Sequence, residues 1–245
     1  MSCSVMRKNY ILRFVGRVAV LLAAIAVYIL HPQSFSVLEG MNFFRSFSIL
    51  HLLWALLLLD MVLQLIPSRR FIALGSQKQF GKHFQPAPRS PDAESMRGFI
   101  KTSNRSAAII LAIWILLVLI LGGLYLLGVL DRGIMVLIST AFYVCDLICV
   151  LFWCPFRVLF MKNRCCTTCR IFNWDHLMMF LHLLFVPGFF TRSLGIASVV
   201  IFLVWEVTFF RHPERFWDRS NRALRCISCT DHLCNRRLSV PEKEK

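Results

Sequence analysis

Two short cysteine pairs are the residues of this sequence best suited to chemistry: Cys166 with Cys169, and Cys226 with Cys229. Each pair has the Cys-x-x-Cys spacing, which lets two thiolates bind one metal ion from a tight turn. Together the pairs supply four thiolates, the usual ligand number of structural Zn²⁺. We therefore predict a four-cysteine Zn²⁺ site that fastens the carboxyl-terminal tail to an internal loop.

Two more cysteines, Cys165 and Cys234, lie beside these pairs and are spare ligands. An iron–sulfur cluster is the alternative cofactor, since four cysteines also hold that group. A dithiol redox pair is a third interpretation, which a reducing cytosol disfavours, and a fourth is a set of separate cytosolic thiols.

The composition decides where this site lies. The chain of 245 residues is 57% hydrophobic and 17% charged, with a mean hydropathy of +0.63. About 20 apolar residues suffice to cross a bilayer as a helix. Six stretches approach that length, at about 11–30, 47–66, 107–130, 134–153, 174–190 and 194–210.

We predict an all-α, polytopic integral membrane protein with six transmembrane helices and both termini in the cytoplasm. Residues 1–210 form the transmembrane domain, with cytoplasmic loops at 67–106 and 154–176. Residues 211–245 form an amphipathic, cysteine-rich cytoplasmic tail. The last two spans make a hairpin, so both cysteine pairs return to one membrane face.

The basic residues support this topology, because lysine and arginine collect in cytoplasmic loops. Of the 28, all but Arg45, Arg132 and Arg192 fall in segments that the six-span topology places inside. The net charge of +15 then reflects attraction to an anionic inner leaflet. We find no module or exposed aromatic pattern typical of nucleic-acid binding. Reduced cytoplasmic cysteines point to a bacterial plasma membrane or to an organelle membrane that faces the cytosol, and of the two we predict the bacterial plasma membrane.

Ionisable residues inside the spans are costly and mark candidate functional positions. Asp60 lies where Arg69 or Arg70 can reach it, whereas Arg17 is expected to extend to the interface. Asp146 shares a helix face with Cys145 and Cys149, a group able to bind a soft metal in transit. His182 and Glu206 lie on neighbouring spans and are predicted to pair.

Three functions remain open from the sequence. The first is a scaffold that docks a cytosolic or membrane protein partner through the metal site. The second is a membrane electron carrier with an iron–sulfur site. The third is a metal or small-solute transporter that uses Asp146 and its neighbouring cysteines.

Overall fold

All regular secondary structure in the described residues is helical, as the sequence predicts. The computed structural model describes residues 5–67, 77–89, 91–163 and 165–226. It contains six α-helices: α1 (Val5–Leu30), α2 (Leu50–Gln64), α3 (Ala93–Leu126), α4 (Arg132–Leu151), α5 (Asp175–Phe180) and α6 (Phe189–Arg211). Short 3₁₀ turns and one π-turn, Phe156–Phe160, connect them.

Four of these helices, α1, α3, α4 and α6, are long and apolar enough to cross a membrane. Helix α3 has 34 residues and is therefore about 51 Å long, well beyond the ~30 Å hydrocarbon core. Asp92 caps its first turn by accepting from the Ser95 amide. Large apolar side chains such as Leu116 and Leu119 remain exposed on its flank. A soluble protein rarely exposes such a surface, whereas lipid covers it without cost.

The second and fifth predicted spans are helical but short. Helix α2 has 15 residues, about 22 Å. Helix α5 has six residues and continues as the tighter 3₁₀ turn Leu181–Phe185 before Pro187 and Gly188 end it. A Cβ at Gly188 would lie 2.0 Å from the Leu38 carbonyl oxygen, so the chain can pass here only with glycine. The protein is thus a membrane protein with four candidate spans, and the six crossings stay a prediction.

The connections meet in two separate groups at the ends of the bundle. At one end, Phe189 donates its amide to the Gly40 carbonyl at 3.1 Å, and Arg132 pairs with Glu39. At the other end, the segment 77–89 contacts both the loop before α5 and the tail after α6. The first group holds the connections predicted outside, and the second holds those predicted inside.

The described part of the predicted amphipathic tail does not form a continuous helix. Residues 212–226 make two short 3₁₀ turns, Pro213–Phe216 and Arg222–Leu224. The amide of Arg222 donates to the Gln85 carbonyl at 2.8 Å, and the Ala87 amide donates to the Ser220 carbonyl at 2.9 Å. These bonds to another segment replace the bonds that a continuous helix would make.

Helix α5 lies in the centre of the molecule. It packs against α4 and α6, and Trp174 before it and Phe180 at its end are fully buried. Nearly all of the segment Arg170–Phe180 is buried, polar residues included. Since burying a polar side chain is costly without a partner, each of these residues has to find one in the bundle.

Candidate functional site

The predicted metal-site cysteines lie partly within the described residues. Cys166 and Cys169 are buried and Cys165 is half-buried, with its thiol 3.2 Å from the Thr167 hydroxyl. Cys226 is the last residue described, whereas Cys229 and Cys234 lie outside the described ranges. In the part of the chain that the structure describes, no three His, Cys, Asp or Glu side chains are grouped to hold a metal ion. The Zn²⁺ or iron–sulfur site therefore stays a prediction that depends on the tail.

The loop and the tail are nevertheless anchored to adjacent residues. The Gln79 side chain donates to the Thr168 carbonyl at 3.3 Å and accepts from the side-chain amide of Asn173 at 2.6 Å. Next to it, the Lys78 carbonyl accepts from Asn221 of the tail at 3.0 Å. The first cysteine pair and the tail segment before Cys226 are thus held at the same end of the bundle.

The first cysteine pair contacts two cysteines that the sequence analysis did not assign to it. The side chains of Cys149, at the end of α4, and of Cys166 are both hydrogen-bonded to the sulfur of Cys154. The Cys166 sulfur also lies 3.2 Å from the Cys149 carbonyl oxygen. We call Cys149, Cys154 and Cys166 the sulfur cluster.

Hydrogen bonding makes the thiols of this region unequal. The pKa of Cys154 is lowered, first by the hydrogen bond from Cys149 and then by the one from Cys166. The pKa of Cys166 is raised, because donating to Cys154 and burial both favour its protonated form. Burial raises the pKa of Cys169 to about 12. Of these thiols, Cys154 is the one whose thiolate form is most favoured, since thiolate character follows a lowered pKa.

A charged cluster lies beside the sulfur cluster. Arg17 does not extend to the interface: its side chain is 4% exposed and points into the bundle. Its guanidinium donates to Asp146 at 2.8 Å, to Asp60 at 3.2 Å and to the Tyr143 carbonyl at 2.6 Å. It also lies 3.7 Å above the Tyr143 ring. Asp60 and Asp146, which the sequence left on separate spans, thus share one arginine.

Asp175 and His176, at the start of α5, complete this cluster. The Asp175 Oδ1 accepts from Gln64 at 2.8 Å and from the His176 amide at 2.8 Å. The imidazole Nδ1 lies 2.6 Å from the Gln64 oxygen, an acceptor, so Nδ1 carries a proton. The opposite nitrogen, Nε2, lies 3.7 Å from Asp60. Among the described residues, Asp175 Oδ2 is buried without any hydrogen-bond partner.

A cavity of about 100 Å³ lies beside the two clusters. Its wall includes two carboxylates and five thiols, those of Asp146, Asp175, Cys145, Cys149, Cys154, Cys166 and Cys169. The rest of the wall is largely aromatic and apolar, with Trp114 of α3, Phe142 of α4 and Phe156 of the π-turn. The arrangement gives a small apolar chamber with carboxylates and thiols in its wall, at the cysteine-rich end of the bundle.

The predicted pairing of His182 with Glu206 is wrong. Glu206 instead pairs with Arg170, whose guanidinium also donates to Asn104 at 2.6 Å. His182 lies 3.1 Å from both the Ser139 hydroxyl and the Met135 carbonyl oxygen. The sequence analysis missed the inward roles of Arg17 and Arg170, although both lie within or beside apolar stretches, where an arginine needs a partner.

No family model, curated protein or solved structure matches this sequence.

Proposed function

We propose that this protein is a membrane carrier for a small cation, which enters the cavity in exchange for a proton. The observation that supports the proposal is the charge balance of the charged cluster, of which Asp146 and Asp175 line the cavity. Asp60, Asp146 and Asp175 supply three carboxylates, and Arg17 is the cation that binds two of them. A buried carboxylate oxygen without a donor, such as Asp175 Oδ2, is costly unless a proton or another cation approaches it.

The protonation of His176 sets this balance. Arg13, one turn before Arg17, is a further positive charge near Asp60. With His176 protonated, three positive charges face the three carboxylates. With His176 neutral, one negative charge is left without compensation, and low dielectric makes such a charge expensive. A site that is neutral with either a proton or a monovalent cation exchanges one for the other, which is the basis of proton-coupled transport.

We further propose six membrane crossings with both termini in the cytoplasm of a bacterial plasma membrane. The distribution of basic residues supports this topology. The grouping of the connections at two ends is what alternating crossings require. On this topology the cavity lies on the cytosolic side, close to an anionic leaflet that concentrates cations at its surface.

Proteoliposomes test the proposal. Vesicles with an acidic interior and an internal pH dye receive Na⁺, K⁺, Zn²⁺ or Ag⁺ outside, and we expect one of these cations to dissipate the pH gradient. Asp175→Asn and Asp146→Asn should each reduce the rate at least tenfold. Asp131→Asn is the matched control, since Asp131 caps α4 at the opposite end of the bundle. If no cation dissipates the gradient, or if Asp175→Asn transports normally, the carrier proposal fails.

The anchoring of loop and tail to Lys78 and Gln79 favours a second candidate function, a scaffold held by a cytoplasmic four-cysteine Zn²⁺ site. The ligands of this site would be Cys166, Cys169, Cys226 and Cys229, with Cys165 and Cys234 as spare ligands. The scaffold would dock a protein partner. Elemental analysis of anaerobically purified protein tests it. Stoichiometric zinc that Cys229→Ser removes would support the site, whereas iron, sulfide and brown colour would assign an iron–sulfur electron carrier.

A further inference from the structure

We propose that the transported cation is a monovalent thiophilic ion of the Cu⁺ or Ag⁺ class, bound between two thiolates of the sulfur cluster. This inference rests on the proposed carrier function and names its substrate class. Soft sulfur ligands select soft cations over Na⁺, K⁺ or Mg²⁺. Five cysteines of the cavity wall, together with the thioethers of Met178 and Met179, provide such ligands.

The number of converging ligands selects the ion. Zinc sites need three or four protein ligands, and the described residues contain no group of three that could hold a metal. A d¹⁰ monovalent ion needs only two thiolates in a linear arrangement. Cys154 is in hydrogen-bond contact with Cys149 and with Cys166, so either neighbour can supply the second thiolate. We assign Cys166, because the short turn Cys166–Thr168 is more easily adjusted than the end of a packed helix.

The charges in the chamber suit a monovalent ion. Two thiolates and one M⁺ make a complex of charge −1, and the Arg157 side chain lines the same cavity. The guanidinium offsets the negative charge of the complex in these largely apolar surroundings, and the neutral complex of a divalent ion would gain nothing from it.

The binding step releases one proton. With one of Cys154 and Cys166 deprotonated beforehand, the S–H bond of the other breaks, its proton leaves to the solvent, and two S–M bonds form. No electron is transferred. One cation gained and one proton released give the electroneutral exchange that the carrier proposal requires.

Silver binding to the full-length protein in detergent tests the assignment. The parent variant carries serine at Cys226, Cys229 and Cys234, so that tail thiols do not bind Ag⁺. We expect one tightly held Ag⁺ per chain by calorimetry against a competing thiol, with about one proton released. Cys154→Ser and Cys166→Ser should each weaken binding at least 100-fold. Cys165→Ser is the control, since its thiol contacts Thr167.

Circular dichroism melting of each variant establishes that it is folded, and two independent cysteine variants keep the test valid if one of them does not fold. Unchanged Ag⁺ affinity in both variants would overturn the assignment. The two proposals fail separately. If Ag⁺ binds but no cation crosses the proteoliposome membrane, the Ag⁺ site stands and the carrier proposal is refuted. If another cation is transported and Ag⁺ does not bind, the carrier proposal stands and the Ag⁺ site is refuted.

Discussion

Replacing Arg17 by methionine should strongly destabilise the protein. The guanidinium is 4% exposed and donates to Asp60, Asp146 and the Tyr143 carbonyl. Methionine fills a similar volume but leaves both carboxylates buried without their counterion. Removal of one partner from a buried ion pair costs about 3–5 kcal/mol. For a chain of this size that is a loss of roughly 6–20 °C in melting temperature.

The assay is unfolding in mixed micelles with a rising fraction of sodium dodecyl sulfate, followed by tryptophan fluorescence. The triple variant Arg17→Met, Asp60→Asn, Asp146→Asn separates charge from packing. This variant has no unpaired charge at the three positions, so it should regain most of the lost stability. Replacing a whole buried ion cluster by uncharged residues often changes the free energy of unfolding little. It should still be inactive in the flux assay, since it lacks Asp146 of the cavity wall.

A loss below about 0.5 kcal/mol in Arg17→Met, the range of an ordinary surface substitution, would refute the reasoning. Such a result would mean that Arg17 extends to the membrane interface, as the sequence alone suggests. We expect Arg17→Lys to lose less stability than Arg17→Met but more than a surface substitution. A single ammonium keeps the charge but cannot match the planar guanidinium, which reaches three acceptors.

Three further outcomes are expected. Gly188→Ala should cost about 3 kcal/mol in the same unfolding assay, because its Cβ would overlap the Leu38 carbonyl. Arg170→Met should cost about 3–5 kcal/mol, since it leaves Glu206 buried and unpaired. Cys154 should react with methyl methanethiosulfonate at a nearly constant rate from pH 6 to 8, as peptide mapping can measure. The pKa of Cys154 is lowered, so its thiolate persists until the pH falls to the folded-state pKa. An ordinary thiol of pKa ~8.5 would instead react roughly 100-fold faster at pH 8 than at pH 6.

Matched controls accompany these variants. Gly98→Ala, where an added Cβ meets nothing within 4 Å, should be neutral or slightly stabilising. Arg132→Gln breaks an exposed ion pair and should cost less than ~1 kcal/mol. Cys169, with its pKa raised to about 12, should stay unreactive throughout the range of the thiol assay. Equal reactivity of Cys154 and Cys169 would contradict the hydrogen-bonded sulfur cluster.

The candidate site could be predicted only in part. The sequence pointed to Asp60, Asp146 and Cys166 as costly or reactive residues, because residue type and hydropathy are visible locally. It did not reveal that Arg17 joins the first two, since helix rotation decides whether an arginine in a span faces lipid or the bundle. The error on His182 and Glu206 has the same origin: neighbouring spans do not specify which faces meet.

What the sequence determined by itself is the class of the protein. Apolar runs of about 20 residues must become helices in lipid, because the backbone has no other hydrogen-bond partners there. The segregation of basic residues follows from the same linear pattern. Only the tertiary structure decided the chemistry. Cys149, Cys154 and Cys166 lie at the end of α4 and in the loop after it. Asp60 lies on α2 and Asp175 on α5, far apart in the chain. Side-chain packing, which depends on all helices at once, brings the three cysteines and Asp175 to the wall of one cavity, with Asp60 in the charged cluster beside it.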